Sequence, residues 1–319
     1  MTLEQDDAIG TPGFPWGFEE KKMWLDQQTI KRSYQEQVVA KIELLKQSFQ
    51  AQLTIEQYGA LSYDPNNYTL WAIKTKHWQA DKPNVLVTGG VHGYETSGVH
   101  GALRFVEIAL TSYSEKFNFI VAPCLSPWGY ETINRWTPNA IDPNRSFSNG
   151  TNVEECHHLM AYIALLDVPI LCHIDLHETT DTDNSVFRPA LEARDAMEQE
   201  FSEIPDGFYG VADSANPQPA FQKAIIDAVE KVTHIAPCDE NNCLIGTEIE
   251  QRGVINYPIR DIGLCAAFTG APFVSTTEVY PDSPKVDDEN CILAQVAAVC
   301  GALEYLTAVS YTHLTLPTN

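Results

Sequence analysis

The sequence predicts an α/β fold with three layers, in which helices cover both faces of a central, mixed and largely parallel sheet. Two observations indicate this class. Short apolar segments typical of buried strands alternate with longer segments whose apolar residues recur every three or four positions, as in amphipathic helices. In addition, no linker, internal repeat or low-complexity tract interrupts this alternation, so one α/β domain is expected.

The first predicted element is an amphipathic helix within residues 19–50. Its apolar residues lie three or four positions apart along much of the segment: Trp24, Ile30, Tyr34, Val38, Ile42 and Leu45. We assign it to an N-terminal extension, residues 1–55, which is expected to pack on the edge of the main domain, residues 56–309. Residues 310–319 follow an apparent helix end and lack its patterning, so we interpret them as a candidate cloning or assembly scar.

The main domain is predicted to continue the alternation of strands and helices to its end. Strand-like apolar runs lie at residues 69–75, 84–90, 117–125, 169–178 and 271–280. Helical periodicity lies at residues 97–110, 152–166, 220–232 and 289–309. In such sheets, ligands bind beyond the carboxyl ends of the strands, so that edge is where functional residues are expected.

The charge balance excludes two classes of partner. The chain has 20 Lys and Arg against 43 Asp and Glu, and its formal net charge of -23 would repel nucleic acids and anionic membranes. The apolar run at residues 160–172 is interrupted by Asp167 and Pro169 and is shorter than the roughly 20 residues of a membrane span. We therefore expect neither nucleic-acid nor membrane partners.

The compartment predicted from the sequence is the cytoplasm. The acidic N-terminus has no basic segment followed by an apolar one, as a secretion signal would. The eight cysteines are scattered, which favours reduced and mostly buried thiols. Only Cys238 and Cys243 lie close enough in sequence for a loop disulfide, and no further ligands of suitable spacing suggest a zinc site there.

A metal centre is predicted from three residues at the carboxyl ends of strands. His92 and Glu95 follow a buried strand and the pair Gly89 and Gly90, in a turn flexible enough to aim both side chains at one point. His177 ends a later strand. A catalytic zinc site takes three such ligands and keeps its fourth position open.

Three other groups of residues offer weaker metal sites. The segment "HETTD" is similar to a helical H-E-x-x-H motif, but Asp181 replaces the second histidine and the preceding residues are strand-like. In "EECHH", Glu154, His157 and His158 are interpreted as an exposed helix face. His173 shares strand parity with the third ligand, yet a hydrogen-bonded structural histidine is the favoured interpretation.

Four motifs, in order, resemble those of the M14 zinc carboxypeptidase family, which includes succinylglutamate desuccinylase and aspartoacylase. They are "GGVHGYE", "SPWGYETINRWTPNAIDPNRSF", "DLHE" and "FVSTTEVYP", and the resemblance extends from about residue 60 to residue 305. The chain is most similar to compact bacterial intracellular members such as the rapid encystment phenotype carboxypeptidase. The resemblance implies the zinc carboxypeptidase-like phosphorylase/hydrolase fold for residues 56–309.

The resemblance implies a catalytic role for each matched residue. His92, Glu95 and His177 would hold one Zn²⁺ per chain, which would activate a water molecule and polarise the scissile carbonyl. Glu278 would accept the proton of that water and pass it to the leaving nitrogen. Arg135 would stabilise the oxyanion.

Further matched residues would bind the substrate or orient a ligand. By the same resemblance, Asn144 and Arg145 would grip the free carboxylate of the substrate. Asp142 would orient the ring of His92. Tyr257 would close over the substrate, with Tyr94 and Tyr280 as other candidates: a chain with 13 tyrosines offers several.

The chain also departs from the family pattern. Ser126 and Trp128 replace the usual Asn and Asp of the N-P-D-G turn, and Pro143 stands where an aliphatic residue is common. These changes remove no catalytic group. The specificity loop is expected at residues 258–273, where Arg260 and Asp261 either recognise a charged substrate side chain or form a salt bridge.

The leading functional hypothesis is a zinc metallocarboxypeptidase that hydrolyses the C-terminal bond of peptides. One alternative is an amidohydrolase that deacylates N-acyl amino acids with the same metal and a free substrate carboxylate. Another is a non-catalytic zinc-binding protein, which the presence of Glu278 disfavours. A structural zinc site would also normally close all four positions with Cys or His.

Overall fold

A computed structural model describes residues 9–199 and 201–315 of the protein, with backbone alone for residues 310–315. In these ranges the α-helices are α1 (Phe18–Asp26), α2 (Ala40–Ser48), α3 (Thr96–Ile108), α4 (Leu110–Tyr113), α5 (Pro127–Thr132), α6 (Glu154–Leu166), α7 (Arg188–Asp195), α8 (Pro219–Val229) and α9 (Asp288–Thr315). The strands are β1 (Leu53–Ala60), β2 (Thr69–Thr75), β3 (Asn84–Gly89), β4 (Asn118–Ala122), β5 (Ile170–Glu178), β6 (Tyr209–Asp213), β7 (Cys243–Leu244), β8 (Thr247–Glu248), β9 (Val254–Tyr257) and β10 (Phe273–Val279).

Eight strands form one mixed sheet in the order β1-β2-β4-β3-β5-β10-β6-β9. Its centre, from β4 through β3 and β5 to β10, is parallel, and β6 pairs with β9 in parallel as well. The antiparallel pairs are β1 with β2, β2 with β4, and β10 with β6. Strands β7 and β8 form a separate hairpin. The predicted mixed, largely parallel α/β sheet is thereby confirmed.

Apolar side chains of the central strands divide between the two faces of the sheet. On β3, Val85 and Val87 belong to one core cluster, whereas Leu86 belongs to the other. The first cluster is covered by α3, α8 and α9, and the second by α6 and the following loops. Because both faces are covered, every residue of β3 and β4 is buried, which explains their nearly continuous apolar sequences.

Helix α9 lies in the core between α3 and α8. Close packing depends on glycines, since a Cβ at Gly101 would lie 2.5 Å from Gln295 and one at Gly301 would lie 2.7 Å from Ala228. The segment Asp288–Val309 of this helix is, among the described residues, the one long and apolar enough to cross a membrane. Half of its apolar window is buried inside the protein. The backbone helix continues to Thr315, past the end predicted at residue 309.

The prediction of a single helix within residues 19–50 is wrong. Helix α1 ends at Asp26, and a π-helical turn at Gln35–Val39 leads directly into α2. Between them, the backbone amides of Lys31 and Arg32 both donate to the carbonyl of Glu131. These contacts with a distant segment hold the chain out of helical geometry, which a periodicity of apolar residues cannot reveal.

The N-terminal residues contribute to the same core as the rest of the chain. Tyr34, Val38 and Ile42 belong to the first core cluster together with residues of α3 and α9. Farther toward the N-terminus, four tryptophans form a cluster with ring centroids 5.5–6.3 Å apart, which we call the tryptophan cluster: Trp16, Trp24, Trp128 and Trp136. It packs α1 against α5 and the residues that follow α5.

All eight cysteines are free thiols. Five are buried: Cys124, Cys156, Cys172, Cys265 and Cys291. Cys238 and Cys243, the pair that are close in sequence, are not joined in a disulfide. Most of the thiols are therefore buried, as the sequence predicted.

Candidate metal centre

The predicted metal ligands meet at the carboxyl edge of the sheet, where β3, β5 and β10 end. His92 and Glu95 lie in the turn between β3 and α3, and Glu95 is the last residue before α3 begins. His177 lies near the end of β5, which is paired on one side with β3 and on the other with β10. The register places His177 opposite Glu278, so two residues 101 positions apart become neighbours.

The turn that carries His92 and Glu95 requires glycine at two positions. Gly90 has φ +60°, a left-handed conformation that glycine adopts without strain. Gly93 lies so close to α5 that a Cβ would come within 2.0 Å of the Tyr130 amide nitrogen. The glycines therefore let the turn fold tightly against α5, with both ligand side chains directed inward.

The Nδ1 atoms of His92 and His177 converge on the carboxylate of Glu95. Its Oε1 lies 2.6 Å from Nδ1 of His92, and its Oε2 lies 2.6 Å from Nδ1 of His177. All three side chains are buried, and their ligand atoms lie within 4.8 Å of one another. Burial alone would raise the pKa of Glu95, but the two histidines outweigh it and lower that pKa to about 2.

The residues present fit a zinc ion. Oε2 of Glu95 is buried yet has no partner aligned for a hydrogen bond, despite its contact with His177. A buried carboxylate oxygen in this state is rare in native proteins, and a bound cation would satisfy it. Two imidazoles and a carboxylate are also the donor set of catalytic zinc sites.

Each of the two histidines is held by a different aspartate on the side of its ring away from Glu95. Nε2 of His92 lies 2.9 Å from Oδ1 of Asp142, and Nε2 of His177 lies 2.8 Å from Oδ2 of Asp175. Such partners fix the ring orientation and leave Nδ1 for the metal. Sequence reasoning proposed Asp142 but gave Asp175 no role. Its position two residues before His177, on the same face of β5, was the available signal.

Glu278 lies on the cavity side of β10, beside the ligands but outside their cluster. Its Oε2 accepts a hydrogen bond of 2.8 Å from Thr179, whose hydroxyl also contacts the Tyr209 hydroxyl at 2.7 Å. Burial raises the pKa of Glu278 to about 7. A carboxylate with this pKa can take up and release a proton near neutral pH.

Arg135 is fixed between two carboxylates at the rim of the site. Its Nε donates to Oδ2 of Asp142, and its Nη1 donates to Oδ1 of Asp183, both at 3.1 Å. Asp183 also accepts a 2.8 Å hydrogen bond from the hydroxyl of Tyr94. Sequence reasoning overlooked Asp183, because it lies in a polar segment after β5 that matches no motif.

Asn144 and Arg145 lie side by side in a short helical turn but in different environments. Asn144 is buried, and its Oδ1 accepts a 2.8 Å hydrogen bond from the amide of Cys265. Its Nδ2 lies 3.4 Å from Nε2 of His177. Arg145 is exposed and donates to the carbonyl of Asn144 at 2.8 Å. Its guanidinium lies at the cavity, where a substrate can reach it.

A cavity of about 1100 Å³ opens over these residues. Beside Glu278, one row of its wall crosses three strands of the sheet: Thr276, Val211 and Ile255 lie opposite one another in the strand register. Leu264 and Tyr257 line the same cavity. This part of the wall carries no charge.

The residues proposed to read a charged substrate do not line the cavity. Arg260 is exposed, and its Nε lies 3.6 Å from Oδ2 of the buried Asp213. Asp261 is exposed next to it. The hydroxyl of Tyr257, in contrast, lies in the cavity and accepts a 3.3 Å hydrogen bond from Thr247. Of the other candidate tyrosines, Tyr94 is bonded to Asp183, as described above, and Tyr280 to Asp181.

A second buried group with possible metal ligands consists of His173, Asp175 and Cys265. The hydroxyl of Thr88 lies between them, at 2.9 Å from Nε2 of His173, 2.6 Å from Oδ1 of Asp175 and 3.7 Å from the Cys265 sulfur. Because this hydroxyl already bonds the would-be ligands, the group is a hydrogen-bonded support for the first site.

The other two weak metal candidates are also accounted for. Asp181, in "HETTD", is exposed and lies outside the ligand groups found among the described residues. In "EECHH", His157 is exposed, but Glu154 is not simply solvated: it accepts hydrogen bonds from the amide and hydroxyl of Ser62. Among the described residues, Asp181 does not join His177 in a metal site, and Glu154, His157 and His158 form none.

Comparisons with known proteins point to one family. The sequence profile described as zinc carboxypeptidase matches residues 38–160, a range that includes the ligand turn and Arg135, Asn144 and Arg145. A search of curated protein sequences finds no significant match.

Solved structures with the same fold are only distantly related in sequence. A candidate metallopeptidase from Shewanella amazonensis SB2B is 18% identical, with a TM-score of 0.63 over 88% of this chain and 99% of that one. A metallo-carboxypeptidase from Burkholderia cenocepacia is 12% identical, with a TM-score of 0.58 over 85% and 68%. Bovine thrombin-activatable fibrinolysis inhibitor is 13% identical, with a TM-score of 0.58 over 89% and 99%. These likenesses establish the fold.

Proposed function

We propose that the chain is a zinc-dependent carboxypeptidase that removes the C-terminal residue of peptides, a proposal supported by the match of residues 38–160 to the zinc carboxypeptidase profile. One observation carries the proposal. His92 and His177 both direct Nδ1 at Glu95 while aspartates hold their other nitrogens, and Glu278 lies beside them without joining the ligands. This is the arrangement of a metal site with a neighbouring base, as hydrolysis requires.

In the proposed mechanism, His92, Glu95 and His177 hold the metal. Zinc, when bound, supplies a Lewis acid that activates water and polarises a carbonyl. Glu278 accepts a proton from the attacking water, because its carboxylate is held by a single hydroxyl and its pKa is raised by burial to about 7. The same carboxyl then donates that proton to the leaving nitrogen.

Two arginines act on the substrate in this proposal. Arg135, fixed by Asp142 and Asp183, presents an oriented cation where negative charge develops on the carbonyl oxygen. Arg145 binds the terminal carboxylate, since its exposed guanidinium can form two parallel hydrogen bonds to it. Tyr257 closes over the bound substrate from the cavity wall.

The uncharged wall beside Glu278 favours a C-terminal residue with a neutral side chain. Leu264 adjoins the segment bonded to Asn144, which places an apolar surface next to the carboxylate-binding pair. The volume of the cavity, about 1100 Å³, exceeds what a small N-acyl amino acid needs and leaves room for several peptide residues. The size of the cavity favours a peptidase over a deacylase.

The proposal is tested by comparing substrates that differ at the C-terminus. We expect the zinc-loaded protein to hydrolyse a peptide ending in Leu faster than one ending in Lys or Glu, and to leave its amidated form nearly intact. An N-acyl amino acid is expected to be a poor substrate. Faster hydrolysis of the N-acyl amino acid would establish the deacylase alternative, and metal-free protein with undiminished activity would refute the mechanism.

The variant Arg145→Ala tests the carboxylate-binding role. Because it removes a charge-assisted contact to the substrate, KM for the free peptide should rise by about 10-fold or more. The exposed Arg252→Ala, which loses only a surface ion pair with Glu230, is the control and should leave KM unchanged. An equal loss of activity on free and amidated peptides would contradict the assigned role.

A further inference from the structure

Arg32, from the segment between α1 and α2, contacts the turn that carries two of the metal ligands. Its Nη2 donates to the carbonyl of Gly93 at 3.0 Å, and its Nη1 donates to the hydroxyl of Thr96 at 2.7 Å. Its Nε donates to the carbonyl of Tyr130 at 2.6 Å. One guanidinium therefore bonds the residue that follows His92, the residue that follows Glu95, and α5.

The contacts of Arg32 fix the backbone between the two ligands. The hydroxyl of Thr96, which accepts from Arg32, also donates to the carbonyl of Tyr94 at 3.1 Å. Both carbonyls between His92 and Glu95 are thus restrained, one directly and one through Thr96. On its other side the turn lies against α5, with no room for a side chain at Gly93.

The guanidinium is itself held in one orientation. It stacks on the Tyr130 ring, with Cζ 3.6 Å from the ring centroid, and its planar group directs three N–H donors at three fixed acceptors. A lysine ammonium could not reproduce this fork, since it is a compact charge without planar geometry.

We propose that Arg32 is a positioning residue for the metal site, which presets the spacing of His92 and Glu95 for zinc. The inference rests on the proposed function, since it assumes that these residues hold the metal. It gives the N-terminal segment a part in metal binding, beyond packing against the main body of the protein.

Anchoring of the N-terminal segment is a separate task that Glu131 performs. Its carbonyl accepts the amides of Lys31 and Arg32, and its carboxylate accepts the Tyr34 amide at 2.8 Å and the Tyr68 hydroxyl at 3.0 Å. The Arg32 side chain extends beyond Glu131 to the turn that carries His92 and Glu95. Its loss is therefore expected to affect the turn more than the attachment of the segment.

The experiment measures zinc affinity of the full chain by competition with a chromophoric chelator. Arg32→Ala should weaken zinc binding by about 10- to 100-fold, the usual effect of losing a group that orients a ligand. On charge alone, Arg32→Ala would instead strengthen zinc binding, because removing the nearby guanidinium removes its repulsion of the bound zinc ion. Arg32→Lys keeps the charge but lacks the fork, so its zinc affinity should lie between those of Arg32→Ala and the parent.

Two variants serve as controls. Tyr34→Phe removes the 2.7 Å hydrogen bond to the carbonyl of Thr69 and loosens the same segment without touching the turn. Arg104→Ala removes a forked arginine on α3 that pairs with Glu289 at the surface. Both should bind zinc as the parent does, even where the melting temperature of the zinc-free protein falls.

The outcomes separate this inference from the proposed function. If the parent binds zinc and both Arg32 variants bind it within twofold of the parent, the inference is overturned and the proposed function stands. Should Arg32→Ala fail to fold, Arg32→Lys alone decides by the same criterion. A parent that binds no zinc would overturn the proposed function and this inference together.

Discussion

At the scale of single residues, Glu278 and Glu178 share a raised pKa but have different surroundings. Burial raises both pKa values to about 7. Glu178 accepts hydrogen bonds from the backbone amides of Ser97 and Thr96, at 2.6 and 3.1 Å, and so caps the start of α3. Among the described residues, Glu278 accepts a hydrogen bond only from the hydroxyl of Thr179. It is the carboxylate that remains available for proton transfer.

Replacing Glu278 by Gln should slow turnover and leave zinc bound. The amide is isosteric but cannot accept a proton from water, so kcat should fall by about 10²- to 10⁴-fold. Zinc content measured by metal analysis should stay near one ion per chain. The surface variant Glu230→Gln is the control and should retain full activity. Near-normal turnover of Glu278→Gln would show that another group is the base.

The pH dependence of kcat/KM for the parent protein also tests the role of Glu278. Glu278 must be deprotonated to act as a base, so kcat/KM should rise with pH on the acidic side with a midpoint at or below about 7 and level off about one pH unit above that midpoint. Bound zinc favours the charged carboxylate and moves the midpoint downward from 7. An acidic limb with a midpoint well above 7 would not fit this carboxylate.

Asp175 is the supporting residue whose loss should be most visible in zinc affinity. Asp175→Asn replaces the carboxylate that holds Nε2 of His177, and zinc binding should weaken by about 10- to 100-fold in a chelator competition. Asp213→Asn is a matched control, because Asp213 is buried on β6, two strands away from β5, and pairs with Arg260 instead of a ligand. Equal zinc affinity of Asp175→Asn and the parent would remove Asp175 from the site.

At the scale of elements, the predicted strands and helices with strong patterns are present. The five predicted apolar runs correspond to β2, β3, β4, β5 and β10, and the four predicted helices after residue 90 to α3, α6, α8 and α9. Strands β6 and β9 were missed because they are short and because Gly210 and Asn256 interrupt their apolar residues, so that neither gives a continuous apolar run. Strand β1 is polar at several positions, as an edge strand can be, and gave no apolar run.

The candidate site, like the fold, was predicted from the sequence only where short local patterns carry the information. Its ligands stand in short motifs next to strong strands, where residue type and position both carry information. Asp183 and Arg32 act through contacts between segments far apart in sequence, 48 positions for Asp183 and Arg135. Local patterns contain no trace of such pairs. The break after α1 has the same origin, since hydrogen bonds to Glu131 create it.

Helix α6 carries a carboxyl group whose protonation should couple stability to pH. Burial raises the pKa of Glu155 to about 7 from its ordinary 4.5, and the carboxyl accepts a 2.5 Å hydrogen bond from Tyr63. Because the folded state binds this proton more tightly than the unfolded state, Glu155 lowers the free energy of unfolding as pH rises from about 4.5 to about 7.

The variant Glu155→Gln tests this coupling. It should match the parent near pH 4 and exceed its free energy of unfolding at pH 8 by up to about 3 kcal/mol, at about 1.4 kcal/mol per pKa unit. Denaturant melts of both proteins at several pH values give the difference, in which the other carboxylates cancel. A difference that does not change with pH would rule out this coupling.

At the scale of the whole molecule, the first and last thirds of the chain form one body. The tryptophan cluster packs α1 against the residues after α5, and helix α9 lies against α3. The proposed metal site takes its candidate ligands from β5 and from the turn before α3. Metal binding should consequently stabilise the entire fold and not one segment of it.

Removal of zinc should lower the melting temperature by several degrees. A ligand that binds only the folded state at 100 times its Kd adds about 2.7 kcal/mol to the free energy of unfolding. Calorimetry of zinc-loaded and chelated protein measures the shift, and His177→Ala, which lacks a ligand, should show almost none. If the parent melts at one temperature with and without the metal, the site does not hold zinc tightly.

The register between β5 and β10 has a consequence for how such an enzyme can diversify. His177 and Glu278 are set side by side by backbone hydrogen bonds in the middle of the sheet, whereas Leu264 and Tyr257 belong to the surrounding loop and an outer strand. Under the proposed function, substitutions at the outer positions can change which peptides are accepted while the distance between the proposed base and the proposed ligand stays the same. The sheet therefore fixes the geometry of the proposed reaction, whereas the loops can vary the range of substrates that fit.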